Sequence, residues 1–217
     1  MIEPQSVYEA ISGNLLGHYR ATCITGLTTG MAANGAIASL RWSDANIAGS
    51  APTQAYMRPR LALIMGLDVG ASVTTAFTAA QPTDFEAIIA RSWTVSDTGG
   101  AAVTPSKLRS TFGASLIGSG DLRVATTAAL TAGTRTLDGA GFCCGAIYNQ
   151  NTGGAGDTQQ NAYGLARNGQ YPVTLSTNEG IIVRVPTAQG AVGVVKYYIT
   201  IEWVEVSVEG ATGFHPA

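Results

Sequence analysis

The residues of this sequence that could do chemistry are few and widely spaced. Its two histidines, His18 and His215, lie near opposite ends of the chain. A metal site in a β-rich enzyme needs several imidazoles and a carboxylate that converge on one open position. Two terminal histidines do not supply that set, so we expect no bound metal and no organic cofactor.

Three cysteines, Cys23, Cys143 and Cys144, could form a disulfide or act as nucleophiles. Neighbouring side chains in a strand point to opposite faces, so an extended Cys143-Cys144 pair does not bring the two sulfurs together. No two cysteines have the Cys-x-x-Cys spacing of a redox motif. We interpret Cys143 and Cys144 as small buried apolar side chains. The number and spacing of all three cysteines indicate a chain that folds in a reducing compartment.

Two pairs of carboxylates could be considered for acid–base catalysis. Asp84 and Glu86 share one face of a strand, whereas Glu202 and Glu205 are three residues apart and project to opposite faces. Most carboxylates are exposed whatever their role, and the chain lacks the Gly-x-Ser-x-Gly turn of a serine hydrolase. We therefore expect these residues on the surface and predict that the protein is not an enzyme.

A polar, glycine-rich segment at 149–169 is the nearest approach to a ligand-binding loop. Its Gly153-Gly154-Ala155-Gly156 run lacks the third glycine of a dinucleotide fingerprint and the Gly-Lys-Ser/Thr ending of a P-loop. These features favour a surface loop. Calcium remains an open alternative, because loop carbonyls and side chains such as Asn151 and Asp157 could supply its oxygen ligands.

The charge content excludes several classes of partner. Only 12% of the 217 residues are charged, with a formal net charge of −2, against about 25% in an average protein. No basic cluster offers a footprint for nucleic acid. The longest apolar stretch, 61–71, falls short of the ~20 residues that span a bilayer, and the first residues lack the pattern of a signal peptide. We expect neither nucleic acid nor membrane as a partner.

Short runs with alternating apolar residues must position these side chains. About ten such runs, bounded by Gly, Asn, Asp or Pro, are predicted to be strands. They are 20–26, 36–42, 61–65, 72–77, 88–95, 121–125, 142–148, 171–175, 180–185 and 192–208. No long amphipathic helix lies between them, which favours an all-β fold, a β-sandwich of jelly-roll type, over βαβ units.

The last predicted strand has the clearest alternation. One face carries Tyr197, Ile199, Ile201 and Trp203. The other carries Lys196, Thr200 and Glu202. We predict that the first set lies in the core and the second faces solvent or a partner, and that this strand is central to its sheet.

The N-terminal segment has a different period. Val7, Ile11 and Leu15 recur every four residues and would line one face of a short helix. We therefore divide the chain into an N-terminal helical or extended arm, 1–19, and a single β-sandwich domain, 20–217. The alternative is a helix that folds back on the sandwich.

Five segments of the chain resemble a family of tailed-bacteriophage virion proteins. They are Ala38-Ser-Leu-Arg-Trp-Ser-Asp44 and the stretches 91–100, 131–139, 178–185 and 197–206. The resemblance implies a β-rich structural protein without catalytic residues. It would decorate and cement the capsid surface of the virion after synthesis in the host cytoplasm. Its implied partners are the major capsid protein and its own copies, as a dimer or trimer.

The residues predicted to make these contacts come from the arm and from one loop. They are Val7, Ile11, Leu15 and Tyr163. A head- or tail-fibre module that binds a receptor or glycan is the alternative function, because tyrosines border the large loops and aromatic rings stack on sugars. The tyrosines in question are Tyr56, Tyr148, Tyr163 and Tyr171. Such tyrosines also anchor loops to strands.

Overall fold

A computed structural model describes residues 15–43, 60–79, 81–118, 120–149, 158–164 and 172–207 of the protein. The described residues form strands and connecting loops and contain no helix. The strands are β1 (Leu15–Ile24), β2 (Thr28–Thr29), β3 (Gly35–Trp42), β4 (Arg60–Thr75), β5 (Gln81–Arg91), β6 (Ala101–Ala102), β7 (Ser106–Lys107), β8 (Leu122–Val124), β9 (Thr136–Leu137), β10 (Cys143–Asn149), β11 (Thr158–Gly164), β12 (Val173–Leu175), β13 (Glu179–Val185) and β14 (Val194–Ser207). The prediction of an all-β fold is confirmed.

The strands form two antiparallel sheets. Sheet A has the order β11-β4-β14-β1-β7, with β12 also beside β4 and β2 beside β14. Sheet B has the order β10-β5-β13-β3-β8-β6, with β9 beside β5. Buried residues of both sheets belong to one main core, as in a β-sandwich.

The predicted core face of β14 is confirmed. Tyr197, Ile199 and Trp203 are 0% exposed and Ile201 is 1% exposed. The strand lies between β4 and β1, so it is also central, as predicted. Its inward residues pack with side chains from sheet B such as Leu40.

A β-bulge in β4 shifts its register with β14 by one residue. Leu67 pairs with Ile201 and Ile64 with Trp203, so Met65 is an extra residue on β4. The insertion allows Leu67 and Ile64, three residues apart, to point into the same core. One 16-residue strand thus replaces the two strands predicted at 61–65 and 72–77.

Two further strand predictions need correction. Residues 158–164 lie in the segment predicted as a loop, yet they form β11 along the edge of β4. The strand predicted at 88–95 begins earlier, at Gln81, and ends at Arg91. Trp93 follows the end of the strand, and its ring is fully buried against the outer face of sheet B.

Trp93 organises a second, smaller core on the outer face of sheet B. It packs with Ala90, Ile88 and Ile182 of the sheet and with Leu130 of the segment that follows β8. Both faces of the central strands of sheet B are therefore buried, which explains the nearly continuous apolar sequence of β3 and β13.

The predicted boundary of the N-terminal arm is wrong at its C-terminal end. Leu15 to Tyr19 belong to β1 rather than to a helix, and Tyr19 is 1% exposed in the main core. Pairing with β14 fixes these residues as a strand. Val7 and Ile11 lie outside the described residues, so an arm limited to 1–14 stays a prediction.

Replacing Trp203 by Ala should lower the free energy of unfolding by about 3–5 kcal/mol, because the change leaves a large cavity in the core. The ring is fully buried and stacks on Tyr19 at a centroid distance of 5.8 Å. Urea denaturation checks this. Tyr198→Ala on the same strand is the control: its side chain is 39% exposed, and the loss should stay below about 1 kcal/mol. Equal losses for both variants would contradict the assignment.

Candidate functional site

Arg41 of β3 has a side chain whose donors are all used within the protein. Its guanidinium is 13% exposed and lies 3.2 Å from the Asp121 carboxylate. The N–H groups also donate to Trp93 O at 2.8 Å, Ser96 Oγ at 3.0 Å, Asn178 Oδ1 at 3.2 Å and Ser43 Oγ at 3.5 Å. An arginine has five such donors. Arg41 therefore fixes loops to the sheet and leaves no donor for a ligand.

A second arginine, Arg135, lies over the ring of Trp93 at 4.9 Å from the ring centroid and forms an ion pair with Asp97. The Asp97 carboxylate also accepts the Gly133 amide at 2.8 Å. These residues and Arg41 come from the segments at 38–44, 91–100 and 131–139 that carry the resemblance. Those segments therefore meet in space. Their network holds the chain around Trp93 against the outer face of sheet B.

Glu205 is the one predicted surface carboxylate that the structure buries. It is 1% exposed and faces the core end of β14, where Oε1 accepts Ser115 Oγ at 2.6 Å and the Leu116 amide at 3.0 Å. Burial raises the pKa of Glu205 despite these hydrogen bonds. Burial and then the charge of Glu205 raise the pKa of Tyr19 to about 12. The prediction of a solvated Glu205 is wrong, because it holds the 113–117 segment against the sandwich.

Glu202 lies on the opposite face of the same strand, as predicted. It accepts His18 Nε2 at 2.8 Å and Arg20 Nη2 at 2.7 Å. Partial burial acts to raise the pKa of Glu202, but the hydrogen bonds from Arg20 and His18 outweigh it and lower the pKa. His18 is therefore a hydrogen-bond partner of Glu202 at the surface. His215 lies outside the described residues.

The other candidate side chains also have structural partners. Glu86 bonds Arg184 at 2.6 Å and Asp84 accepts the Thr187 hydroxyl at 2.5 Å. In the part of the chain that the structure covers, no three His, Cys, Asp or Glu side chains group as metal ligands. The same residues include no helix with the length and apolar character to cross a bilayer. Asn151 and Asp157 lie outside them.

The cysteines are free, and their environments differ. Burial raises the pKa of Cys23 to about 12, and burial is the main cause that raises the pKa of Cys143 to about 11. Both thiols are thus protonated and poorly nucleophilic at neutral pH. Cys144 is exposed and Cys143 is half-buried, so the prediction that both are buried is wrong for Cys144 and holds only in part for Cys143. It lies next to Cys143 on β10 and points the other way, as expected for a strand.

Tyr163, a predicted interface residue, is used inside the chain. Its hydroxyl accepts the Val173 amide at 2.9 Å, and its ring meets Phe142 edge to face at a centroid distance of 5.4 Å. Phe142 precedes β10 of sheet B, so this contact ties the neighbouring edges of the two sheets. Tyr148 belongs to β10, and Tyr56 and Tyr171 lie outside the described residues.

Leu15, the other predicted interface residue that can be located, belongs to the outer face of sheet A. We use this term for the side chains of β1, β4 and β14 that point away from the main core. Leu15 contributes to an apolar cluster there with Leu63, Val204 and Val206, which are at most 4% exposed. Its neighbours thus lie within the sheet, rather than along a helical stripe.

The cross-strand register sets the remaining outer face in rows. From one end to the other, the rows are Arg20, Glu202 and Gly66; then Thr22, Thr200 and Asp68; then Ile24, Tyr198 and Gly70. The two glycines leave the β4 positions of their rows without side chains. The face is therefore flat, with an ion-paired row followed by a polar row and an aromatic row.

Exposed apolar side chains collect at the aromatic end of this face. Ile24 is 47% exposed and Tyr198, its direct cross-strand partner, is 39% exposed. Leu27 at 54% and Val192 at 62% precede β2 and β14, which pair with each other. We call Ile24, Leu27, Val192 and Tyr198 the Tyr198 patch. Ile24 and Tyr198 are direct neighbours, and clusters of exposed apolar groups mark protein-interaction sites.

The contrast between the two outer faces makes this patch the candidate functional site. Sheet B hides its apolar outer residues under the segment that contains Trp93 and Leu130. At the Tyr198 patch the described residues leave the apolar groups exposed. Sequence reasoning missed the patch, although a signal was present: Tyr198 is an aromatic residue on the polar side of the alternating pattern of β14.

No model of a known protein family matches the sequence, and no curated protein matches it at a significant level. The functional assignment therefore depends on the geometry above and on the resemblance of the short segments.

Replacing Glu205 by Gln should flatten the pH dependence of stability. The ordinary pKa of the carboxyl is 4.5 and the folded protein raises it, so ionisation opposes folding. This penalty is absent below pH 4.5, grows as the pH rises and is complete above the raised pKa. Gln keeps an acceptor for Ser115 and avoids the charge, so the variant should gain stability relative to the parent as the pH rises.

The matched control is Glu202→Gln on the opposite face of β14. Its pKa is lowered by folding, so the parent's advantage over this variant should be lost as the pH falls. Urea denaturation of both variants between pH 4 and 8 measures the two slopes. Slopes of the same sign would contradict the assignment.

Replacing Arg41 by Met should cost about 3–5 kcal/mol, because the change removes the guanidinium from the buried Asp121 carboxylate and breaks its hydrogen bonds to Trp93 O and Asn178 Oδ1. Arg123→Met is the control on adjacent β8, where Nε donates to Gly99 O at 2.8 Å near the surface; it should cost less than about 1 kcal/mol. Thermal and chemical unfolding measure both. A near-neutral Arg41→Met would show that the network does not stabilise the fold.

Proposed function

We propose that this protein is a structural virion protein of a tailed bacteriophage, which decorates and cements the capsid shell by binding the major capsid protein and its own copies. The Tyr198 patch is the observation that carries the proposal, because it offers a flat apolar surface for another protein. The low charge content of 12% fits a subunit that neighbours cover. The alternative fate of such a patch, exposure to solvent, is unfavourable.

A jelly-roll fold supports the same assignment. We infer it from the pairing of the eight longest strands, which is nested along the chain. The first pairs with the last (β1 with β14), the second with the seventh (β3 with β13), the third with the sixth (β4 with β11) and the fourth with the fifth (β5 with β10). Jelly rolls are common in viral capsid proteins and lectins.

The polar interior favours binding over catalysis. Within the described residues, the buried charges of Arg41, Arg135, Asp97 and Glu205 serve to hold loops on the sheets. A site for catalysis requires a nucleophile or base that is open to substrate. The arrangement instead fixes loops to both sheets, as a cementing protein under load requires.

A glycan-binding fibre module is the second candidate, and one observation favours it. The ring of Tyr198 is exposed and unobstructed by Gly70, its partner on β4, and sugars stack on such rings. The neighbouring Ile24 and Leu27 are aliphatic, however, and suit a protein surface better than a sugar.

Co-sedimentation with shells tests the proposed function. Expanded shells of the major capsid protein encoded with this chain should bind the protein at a fixed stoichiometry, and electron cryomicroscopy should locate it on the outer surface of the head. Density on the tail, or absence of binding at saturating protein concentration, would overturn the assignment.

Deletion of residues 1–14 tests whether an N-terminal arm contributes to these contacts. The deletion leaves β1 complete, so the β-rich circular dichroism spectrum and the unfolding midpoint should persist while binding to shells or to other copies weakens. Deletion of 1–19 is the comparison: it removes the buried Tyr19 and should cost at least about 3 kcal/mol. Unchanged binding after the shorter deletion would remove the arm from the proposal.

A further inference from the structure

We propose that the outer face of sheet A binds a second copy of this chain across a two-fold axis through the Tyr198 row, with Lys196 of each copy against Asp68 of the other. The inference deepens the proposed function by naming the surface through which copies of the protein associate. It depends on the placement of two charged residues on either side of the patch.

Lys196 and Asp68 flank Tyr198 symmetrically. On β14, Lys196 lies two residues before Tyr198, and Thr200, the partner of Asp68, lies two residues after it. The charges are therefore one row above and one row below the aromatic row, each about 7 Å away along the strand. A cation and an anion at equal distances from a centre are what a self-complementary surface requires.

Neither charge has a partner within the described residues. Five described arginines show the contrast, because they form ion pairs: Arg20, Arg41, Arg91, Arg135 and Arg184. Lys196 and Asp68 form no ion pair or hydrogen bond with another described residue. Among the described residues, nothing therefore competes with another molecule for either charge.

A two-fold axis that lies in the contact plane and runs across the strands exchanges the two rows. It brings Lys196 of one copy above Thr200 of the other, and Asp68 lies beside Thr200 on the next strand. Neighbouring strands are about 4.8 Å apart, a distance that a lysine side chain can bridge. The symmetry makes both Lys196–Asp68 pairs at once and places the two Tyr198 rings together at the centre.

The β4 side of this surface carries little side-chain bulk. Gly70 lies beside Tyr198, and Gly66 lies two rows away. Gly70 is buried and Gly66 is half-buried, and a Cβ at Gly66 would make ordinary van der Waals contacts with Tyr163 O at 3.8 Å and with Glu202 Cβ at 4.0 Å. Contact with the other copy therefore depends on the side chains of Tyr198, Lys196 and Asp68 rather than on the backbone of β4.

The contact area predicts a weak dimer. Three strands about 4.8 Å apart and four rows about 7 Å apart give roughly 400 Å² per copy, well below the about 800 Å² per partner of a stable interface. The dimer should form at high protein concentration and become prevalent where a shell holds copies side by side.

Charge exchange tests the proposal. Lys196→Asp and Asp68→Lys should each weaken the dimer at least about tenfold, because each puts like charges together twice. The double variant should restore it to within about threefold, since both pairs re-form with exchanged signs. Tyr198→Ala should abolish the dimer. Sedimentation equilibrium of the full chain at low salt measures all four.

Arg109→Asp is the matched control, an exposed charge reversal outside the face, and should leave the dimer unchanged. A parent protein that is monomeric at millimolar concentration, a dimer insensitive to the single reversals, or a double variant without rescue would overturn the proposal. So would saturable binding of a soluble oligosaccharide by a monomer that Tyr198→Ala abolishes.

Shell binding of the same variants separates this inference from the proposed function. A parent protein that dimerises as described but does not bind shells contradicts only the decoration role. A protein that binds shells as a monomer, at full strength in the charge-reversal variants, contradicts only the two-fold contact.

Discussion

The pairing of β14 with β4 is the constraint on which the rest of the structure depends. It runs from Val194 to Ser207 and fixes which side chains of both strands point inward. A one-residue slip would turn Trp203 outward and bring Glu202 into the core. The bulge at Met65 adds one residue to β4, so that Ile64 and Leu67 both point inward opposite Trp203 and Ile201. The same register places Glu205 inward, where it binds the 113–117 segment, and Tyr198 outward, where it forms the exposed patch.

The two sheets solve the problem of their outer faces differently. The outer face of sheet B is covered by the segments around Trp93 and Leu130, which are held by Arg41 and by the Arg135–Trp93 stack. The outer face of sheet A is apolar and buried at the end that holds Leu63, Val204 and Val206, and it is polar and then aromatic from the ion-paired row of Glu202 to Tyr198. Its exposed half presents strand side chains to another molecule, whereas the segments around Trp93 and Leu130 cover the outer face of sheet B. A sandwich with one covered face and one partly exposed face suits a subunit of a layered assembly.

The strands with clear alternation could be predicted from the sequence, and those shaped by their neighbours could not. The apolar residues of β3, β13 and β14 are numerous enough to predict these strands. The core position of Trp203 follows from the two-residue alternation of β14 alone. β11 is polar, and only the edge of β4 makes it a strand. Tyr19 was assigned to an arm because its partner Trp203 is remote in sequence. Glu205 gave no local sign of burial, because its hydrogen-bond donors come from the distant 113–117 segment.

The short and polar strands at the margins of the sheets have a consequence for solubility. β4 is long and apolar, and a bare edge of such a strand would recruit further strands into a growing ribbon. β11 and β12 together occupy that edge from Ala62 to Ala71, while the opposite margins end in the two-residue strands β6 and β7. Loss of β11 would expose the backbone donors and acceptors of β4 between Gly66 and Ala71 and make this edge a template for further strands. The polar strand β11 thus protects the subunit from edge-to-edge association.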